Sequence, residues 1–178
     1  LIKKQIISID NKKITSKVPI EDIYFSPLWD VDRSNLVFVE SSFFEFYANQ
    51  GDCIVGNDGN PLWRSLFVGL DPSKMSMYNE VAIWNEPQNT VVVYPYLTFI
   101  AYADQGFYDY FAGICDSCTT TKHVDPIPLY TSSGIGIQAL TLLGYPTIND
   151  IQIDKDPSIL QQFDKVIMLH SEYVTRAM

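Results

Sequence analysis

The sequence predicts an α/β protein in which a β-rich amino-terminal part, residues 1–88, precedes part of a doubly wound parallel sheet in residues 89–178. Two observations carry this. The run TVVVYPYLTFIAYA from Thr90 is continuously apolar and β-branched, as a strand covered on both faces must be. After it, apolar strand-like runs alternate with helical patterns, and strand–helix–strand alternation feeds a parallel sheet through right-handed crossovers.

Before residue 89 the chain reads as short strands separated by turns. IISID and KITSKV flank Asn11-Lys12 as a hairpin, and NLVFVE and SFFEFYA carry the β-branched and aromatic residues that suit a pleated surface. GNDGNP at 56–61 is a turn cluster, because Gly, Asn and Asp tolerate left-handed dihedrals. It lacks the alternating carboxylates and bidentate Glu of a calcium loop.

The second half is expected to place strands at 92–100, 148–153 and 165–170. Ser132-Ser133 is a candidate N-cap for GIGIQALTLLGY, whose Ile135, Ala139, Leu142 and Leu143 share one face and whose Gly144 ends the helix. Asp156-Pro157-Ser158 opens a short helix through Phe163. Ser171 or Thr175 is positioned to cap a further helix in SEYVTRAM. With under one turn after the last strand, the sheet is expected to need a missing carboxyl-terminal segment or a protein partner.

Composition excludes several function classes. The net charge is −9, with 12 Lys plus Arg against 21 Asp plus Glu, and no basic face is available for nucleic acid. No apolar run approaches the roughly 20 residues of a membrane span, so no membrane insertion is expected. GIGIQ lacks the G-x-G-x-x-G frame of a phosphate cradle, and no Gly-x-Ser-x-Gly elbow is present. Cys115 and Cys118 form a C-x-x-C in a polar loop that also holds His123. A redox pair, half a zinc site and a loop-stapling disulfide all remain open, the last implying an oxidising compartment. Cys53 is then left as a buried thiol.

FIAYADQGFYDYF at 99–111 and LLGYPTINDIQIDKDPSILQQFDKVIMLHSEYVTRAM at 142–178 resemble the C-terminal domain of N,N-dimethylformamidase-type large subunits. The match is tightest over 142–178, where His170, Glu172, Tyr173 and Met178 stand at the family's His-x-Glu-Tyr and following Met. The Gly-Phe-Tyr-Asp-Tyr and Glu-Tyr-Val-Thr segments are also similar to uncharacterised secreted archaeal proteins. The resemblance implies a flavodoxin- or glutamine-amidotransferase-like sheet and an extracellular or cell-surface location. For the family's amide hydrolases it implies a mononuclear iron held by two tyrosines and a glutamate. Residue by residue, these fall on Tyr102, Tyr130 and Glu172, although the family's Arg before Pro-Tyr is absent here. His170 would stand beside them as an acid–base or supporting group. Phenolate and carboxylate are hard donors suited to such an ion.

Other readings stand beside these. Glu172 also suits the N-cap of a following helix, Tyr102 a packing role, and His170 the end of a strand. Two functions remain: a non-catalytic extracellular structural or interaction module, toward which the sequence leans, and a metal-dependent C–N hydrolase. No cofactor other than that iron is indicated.

Overall fold

The computed structural model describes residues 18–55, 59, 61–103, 105–120 and 131–178. The predicted hairpin around Asn11-Lys12 and most of GNDGNP lie outside them, as do His123 and Tyr130. The chain divides into two compact units, Leu1–Ala82 with Pro128–Leu143, and Ile83–Ile127 with Gly144–Met178.

In the first unit, strands β1 (Tyr24–Phe25), β2 (Leu36–Ser41), β3 (Glu45–Asn49) and β6 (Phe67–Leu70) form an antiparallel sheet in the order β1-β6-β3-β2. Strands β4 (Cys53–Val55) and β5 (Pro61–Trp63) pair as a separate antiparallel ribbon. Ile23, Phe25, Tyr47 and Phe67 form a buried cluster, with Phe25 and Tyr47 edge-on at 5.3 Å. Arg33 stands over the Phe25 ring and donates to the carbonyls of Ile20, Glu21 and Ile23, joining the sheet to the turn before it. Helix α1 (Met75–Val81) buries Tyr78, whose ring packs on Phe43 and Phe44.

The second unit carries β7 (Thr90–Tyr94), α2 (Tyr96–Tyr102), α3 (Phe107–Phe111), β8 (Thr147–Asn149), α5 (Asp150–Lys155), a 3-10 turn at Pro157–Gln162, and β9 (Lys165–Met168). Its three strands are parallel in the order β8-β7-β9. The structure is thus mixed α/β, with an antiparallel sheet and a separate parallel sheet in the carboxyl-terminal half.

Four expected boundaries are corrected. The strand expected at 92–100 stops at Tyr94, because Pro95 has no N–H for the ladder and a helix starts at Tyr96. The strand expected at 148–153 ends at Asn149. There the Asn149 side chain and Gln152 close a capping box that starts α5, and this local bonding overrides the apolar alternation.

Helix α4 (Ser132–Leu142) lies in the first unit and packs against β6. Its cap is Thr131, whose hydroxyl accepts from Gly134 N–H at 3.0 Å, rather than Ser132-Ser133. Its buried residues include Ile137, Gln138 and Leu142, whereas Ile135 and Ala139 are only half-buried. Gln138 explains the rotation. Its amide donates to Leu66 O (2.8 Å) and Gly134 O (3.1 Å) and accepts from Val68 N–H (3.0 Å). A buried amide bonded at every contact replaces an apolar side chain at the centre of the interface. The fourth correction falls in the segment after β9, which is not helical.

Gly144 follows α4 at φ +92°, and a Cβ there would lie 2.5 Å from the Trp84 ring, so glycine is required on both counts.

Candidate functional site

The order β8-β7-β9 determines where a site can form. From β7 the chain moves to one neighbour, β8, and then returns past β7 to its other side. The order therefore reverses between β7 and β9, and in open parallel sheets the crevice beyond the carboxyl ends of such a pair is where ligands bind. The segments leaving those ends are Tyr96–Tyr102, as α2, and residues 169–175 after β9.

Residues 169–178 form no helix, contrary to the expectation of a cap at Ser171 or Thr175. The cause is Thr98 on α2. Its hydroxyl accepts from both Glu172 N–H (2.9 Å) and Tyr173 N–H (3.1 Å), so these amides are spent across the crevice. The N-cap role for Glu172 falls with the helix.

Glu172 is instead the centre of a hydrogen-bonded chain. Tyr102 donates its phenol to Glu172 Oε2 at 2.5 Å, and His170 Nε2 lies 2.7 Å from Glu172 Oε1. Residues 70 positions apart thereby meet. The hydrogen bond from Tyr102 is the main cause holding the Glu172 carboxyl below its ordinary value. Partial desolvation opposes it, and His170 assists. Conversely, that bond, with lesser help from desolvation and the Glu172 charge, pushes the Tyr102 phenol up to about 12. The pair is a neutral phenol against a carboxylate. Both side chains reach solvent, Glu172 being 38% exposed.

Around this chain lies an aromatic surface. Tyr102 stacks on Tyr108 at 4.6 Å, and Tyr173 stands edge-on to both Tyr102 (6.2 Å) and Phe107 (5.7 Å). Gly106 lets α3 turn back against α2, since a Cβ there would meet the carbonyls of Ile100, Ala101 and Ala103 within 2.6 Å. The result exposes Tyr108, Tyr110, Phe111 (77%) and Ile114 (73%).

Beyond α3, Cys115 and Cys118 are joined at an S–S distance of 2.09 Å, which excludes a zinc role for the pair as found. Cys53 is half-exposed rather than buried and is not part of a disulfide. Among the described residues no three His, Cys, Asp or Glu side chains gather as a metal cluster. The two hard oxygen donors that do meet are those of Tyr102 and Glu172.

A second polar cluster, which the sequence reading missed, lies in the first unit. Lys74 Nζ lies 2.5 Å from Glu45 Oε1, 2.9 Å from Ser41 Oγ and 3.7 Å from Asp71 Oδ2. A Ser–Lys contact suggests a nucleophile and its base. Burial lowers the Lys74 ammonium, but the hydrogen bond and charge of Glu45 outweigh it and leave the group raised. A lysine held protonated takes no proton from Ser41, so the cluster is a structural clamp between β3 and α1. Its signal was a glutamate flanked by aromatics in FFEFY, a polar residue on a buried strand.

No protein-family model, curated protein or solved structure matches this chain.

Proposed function

We propose that this chain is an extracellular or cell-surface protein whose carboxyl-terminal half is an interaction module rather than a catalyst. One observation carries the reading: Tyr102, Tyr108 and Phe111 form an exposed run of ring contacts, and Tyr110 and Ile114 are exposed in the same segment. Tyrosine and phenylalanine are over-represented at recognition surfaces, because they bring large apolar area with few rotors to freeze. The joined Cys115 and Cys118 beside this surface support an oxidising location. No helix among the described residues is long and apolar enough to cross a membrane.

The test is binding of the purified full chain to intact cells of its source. Saturable binding is expected, weakened at least tenfold by combined Tyr108→Ser, Tyr110→Ser and Phe111→Ser. These residues are exposed or partly so, and the folded state should survive their loss. Equal binding by the triple variant overturns the reading.

A second reading is favoured by the meeting of Tyr102 and Glu172. The resemblance to dimethylformamidase-type subunits assigns both to an iron site, and their oxygens suit adjacent positions on one hard cation. Tyr130, the third residue so assigned, lies outside the described residues. Such an ion would act as a Lewis acid toward an amide carbonyl. On the protein's side, His170 would hold Glu172 in orientation, and Tyr102 would have to release its proton to bind. Iron analysis and visible absorption of the purified chain decide this. Bound iron with a tyrosinate band lost in Tyr102→Phe supports the hydrolase; iron-free, colourless protein after loading refutes it.

A further inference from the structure

The exposed ring run of the second unit stands in an acidic part of the chain. Tyr102 stacks on Tyr108 at 4.6 Å, Tyr108 meets Phe111 at 6.5 Å, and all three rings reach solvent. Between Lys74 and Lys155 the sequence carries eight Asp and Glu against a single basic residue, Lys122. Asp109 and Asp116 lie within that stretch, on α3 and in the loop after it. The segment after β9 adds one acid, Glu172, and one base, Arg176, and the whole chain has a net charge of −9. A field of this sign draws cationic partners and repels anionic ones.

The ring run also ends on a carboxylate. Tyr102 donates its phenol to Glu172 Oε2 at 2.5 Å, and this bond is the main cause holding the Glu172 carboxyl below its ordinary value, so it is ionised at neutral pH. Its side chain is 38% exposed, and its oxygens take one hydrogen bond each, from Tyr102 and from His170. An ionised carboxylate offers about four acceptor positions, so acceptor capacity remains. An arginine satisfies ring and carboxylate together. Its flat guanidinium lies on an aromatic face while N–H groups in the same plane donate to the acid. A lysine ammonium is a more strongly hydrated point charge and does not stack in this way. The chain itself uses the stacking contact in its first unit, where Arg33 stands 5.2 Å over the Phe25 ring.

We propose that this surface binds an arginine-bearing segment of a basic protein, one guanidinium lying on the Tyr102–Tyr108–Phe111 rings and pairing with Glu172. The proposal rests on the interaction reading above and names the chemistry of its partner. Glu172 serves here as an ionised acceptor and needs no metal.

The test is titration of the full chain into a fluorescently labelled peptide of alternating arginine and leucine, followed by fluorescence anisotropy. The same peptide with citrulline for arginine keeps the shape and lacks the charge. Saturable binding of the arginine peptide is expected, about tenfold tighter than that of its citrulline counterpart. Tyr108→Ser and Glu172→Gln, both at exposed side chains whose replacement leaves the fold intact, should each weaken it by about fivefold. Glu80→Gln removes an exposed carboxylate of the first unit and should leave the affinity unchanged, which separates a site from general charge attraction. Equal binding of the citrulline peptide, unchanged affinity in either Tyr108→Ser or Glu172→Gln, or equal weakening by Glu80→Gln overturns the proposal. If the arginine peptide does not bind while cell binding is still lost in the aromatic triple variant, the basic partner is refuted and the interaction reading stands. Saturable binding of a neutral β-glucan oligosaccharide in its place assigns the surface to a glycan and likewise refutes the proposal. Unchanged cell binding by the triple variant overturns both.

Discussion

Replacing Glu172 by Gln should return the Tyr102 phenol toward the ordinary tyrosine range, and the size of the change follows from the geometry. Ionising Tyr102 places a second negative oxygen 2.5 Å from Glu172 Oε2 and destroys the bond between them, which moves the phenol from 10.0 to about 12. At pH 11 a phenol ionising at 10.0 is about 91% phenolate, and one ionising at 12 about 9%. The variant should therefore gain about 0.8 of a phenolate at pH 11 in a 295 nm difference titration, against a background of 11 tyrosines. Tyr94, also pushed up to about 12 chiefly by burial, is common to both proteins and cancels. The linkage has a definite sign. A phenol raised in the folded state contributes stability that is complete below pH 10 and lost as pH rises through about 12. The lowered Glu172 contributes stability above the ordinary carboxylate value, lost as pH falls through its folded value. Identical titrations of wild type and variant, with far-ultraviolet circular dichroism unchanged at pH 11, would refute the pairing.

Three further outcomes follow from buried or covalent contacts. Gln138→Leu strands Val68 N–H and Leu66 C=O at the α4–β6 contact, each costing about 1–3 kcal/mol, so the urea midpoint should fall by the equivalent of about 2–6 kcal/mol. Asp150 is buried, its carboxyl raised chiefly by desolvation, and it accepts from Leu97 N–H at 2.8 Å. Asp150→Asn keeps an acceptor without the charge and should leave stability at pH 7 equal or higher, while Asp150→Ala should lower it by about 1–3 kcal/mol in the same assay. Thiol counting on the denatured, unreduced chain should find one thiol, from Cys53, and three after reduction. Opening the four-residue Cys115–Cys118 loop should cost about 2 kcal/mol.

The parts of the fold legible in the sequence were those where one interaction dominates. Val91, Val92 and Val93 are fully buried at the centre of the parallel sheet, and an unbroken β-branched run announces that. Where two signals competed, the local hydrogen bond decided and the apolar pattern misled. Ile148, Ile151 and Ile153 suggested a strand, but Asn149 and Gln152 complete a capping box, and a helix follows. In α4 a face chosen by hydrophobicity alone omits Gln138, whose burial becomes comprehensible only once Val68 and Leu66 are known to be its partners. The candidate site divides in the same way. Tyr102, His170 and Glu172 were singled out by resemblance, and the structure brings them together. Their mode of approach, through an extended segment bonded to Thr98, depends on a contact between residues more than 70 positions apart that no local pattern records.

Thr98 is therefore the residue on which the site's geometry depends, and replacing it separates two causes that Glu172→Gln leaves together. One hydroxyl oxygen accepts both Glu172 N–H and Tyr173 N–H, and Thr98 itself is only 9% exposed. Thr98→Val retains the branched shape and removes the acceptor, so α2 should persist while residues 171–175 lose their attachment. Each lost bond is worth about 0.5–1.5 kcal/mol, so losing both predicts amide exchange at Glu172 and Tyr173 faster by about fivefold or more. The Tyr102 phenol should then ionise nearer 10, although Tyr102 and Glu172 are both still present. Glu172→Gln should give the same phenol titration with amide protection unchanged. If Thr98→Val alters neither exchange nor titration, the segment is held by its aromatic packing on Phe107 and Tyr102 instead, and the hydrogen-bonded chain is its consequence rather than its cause.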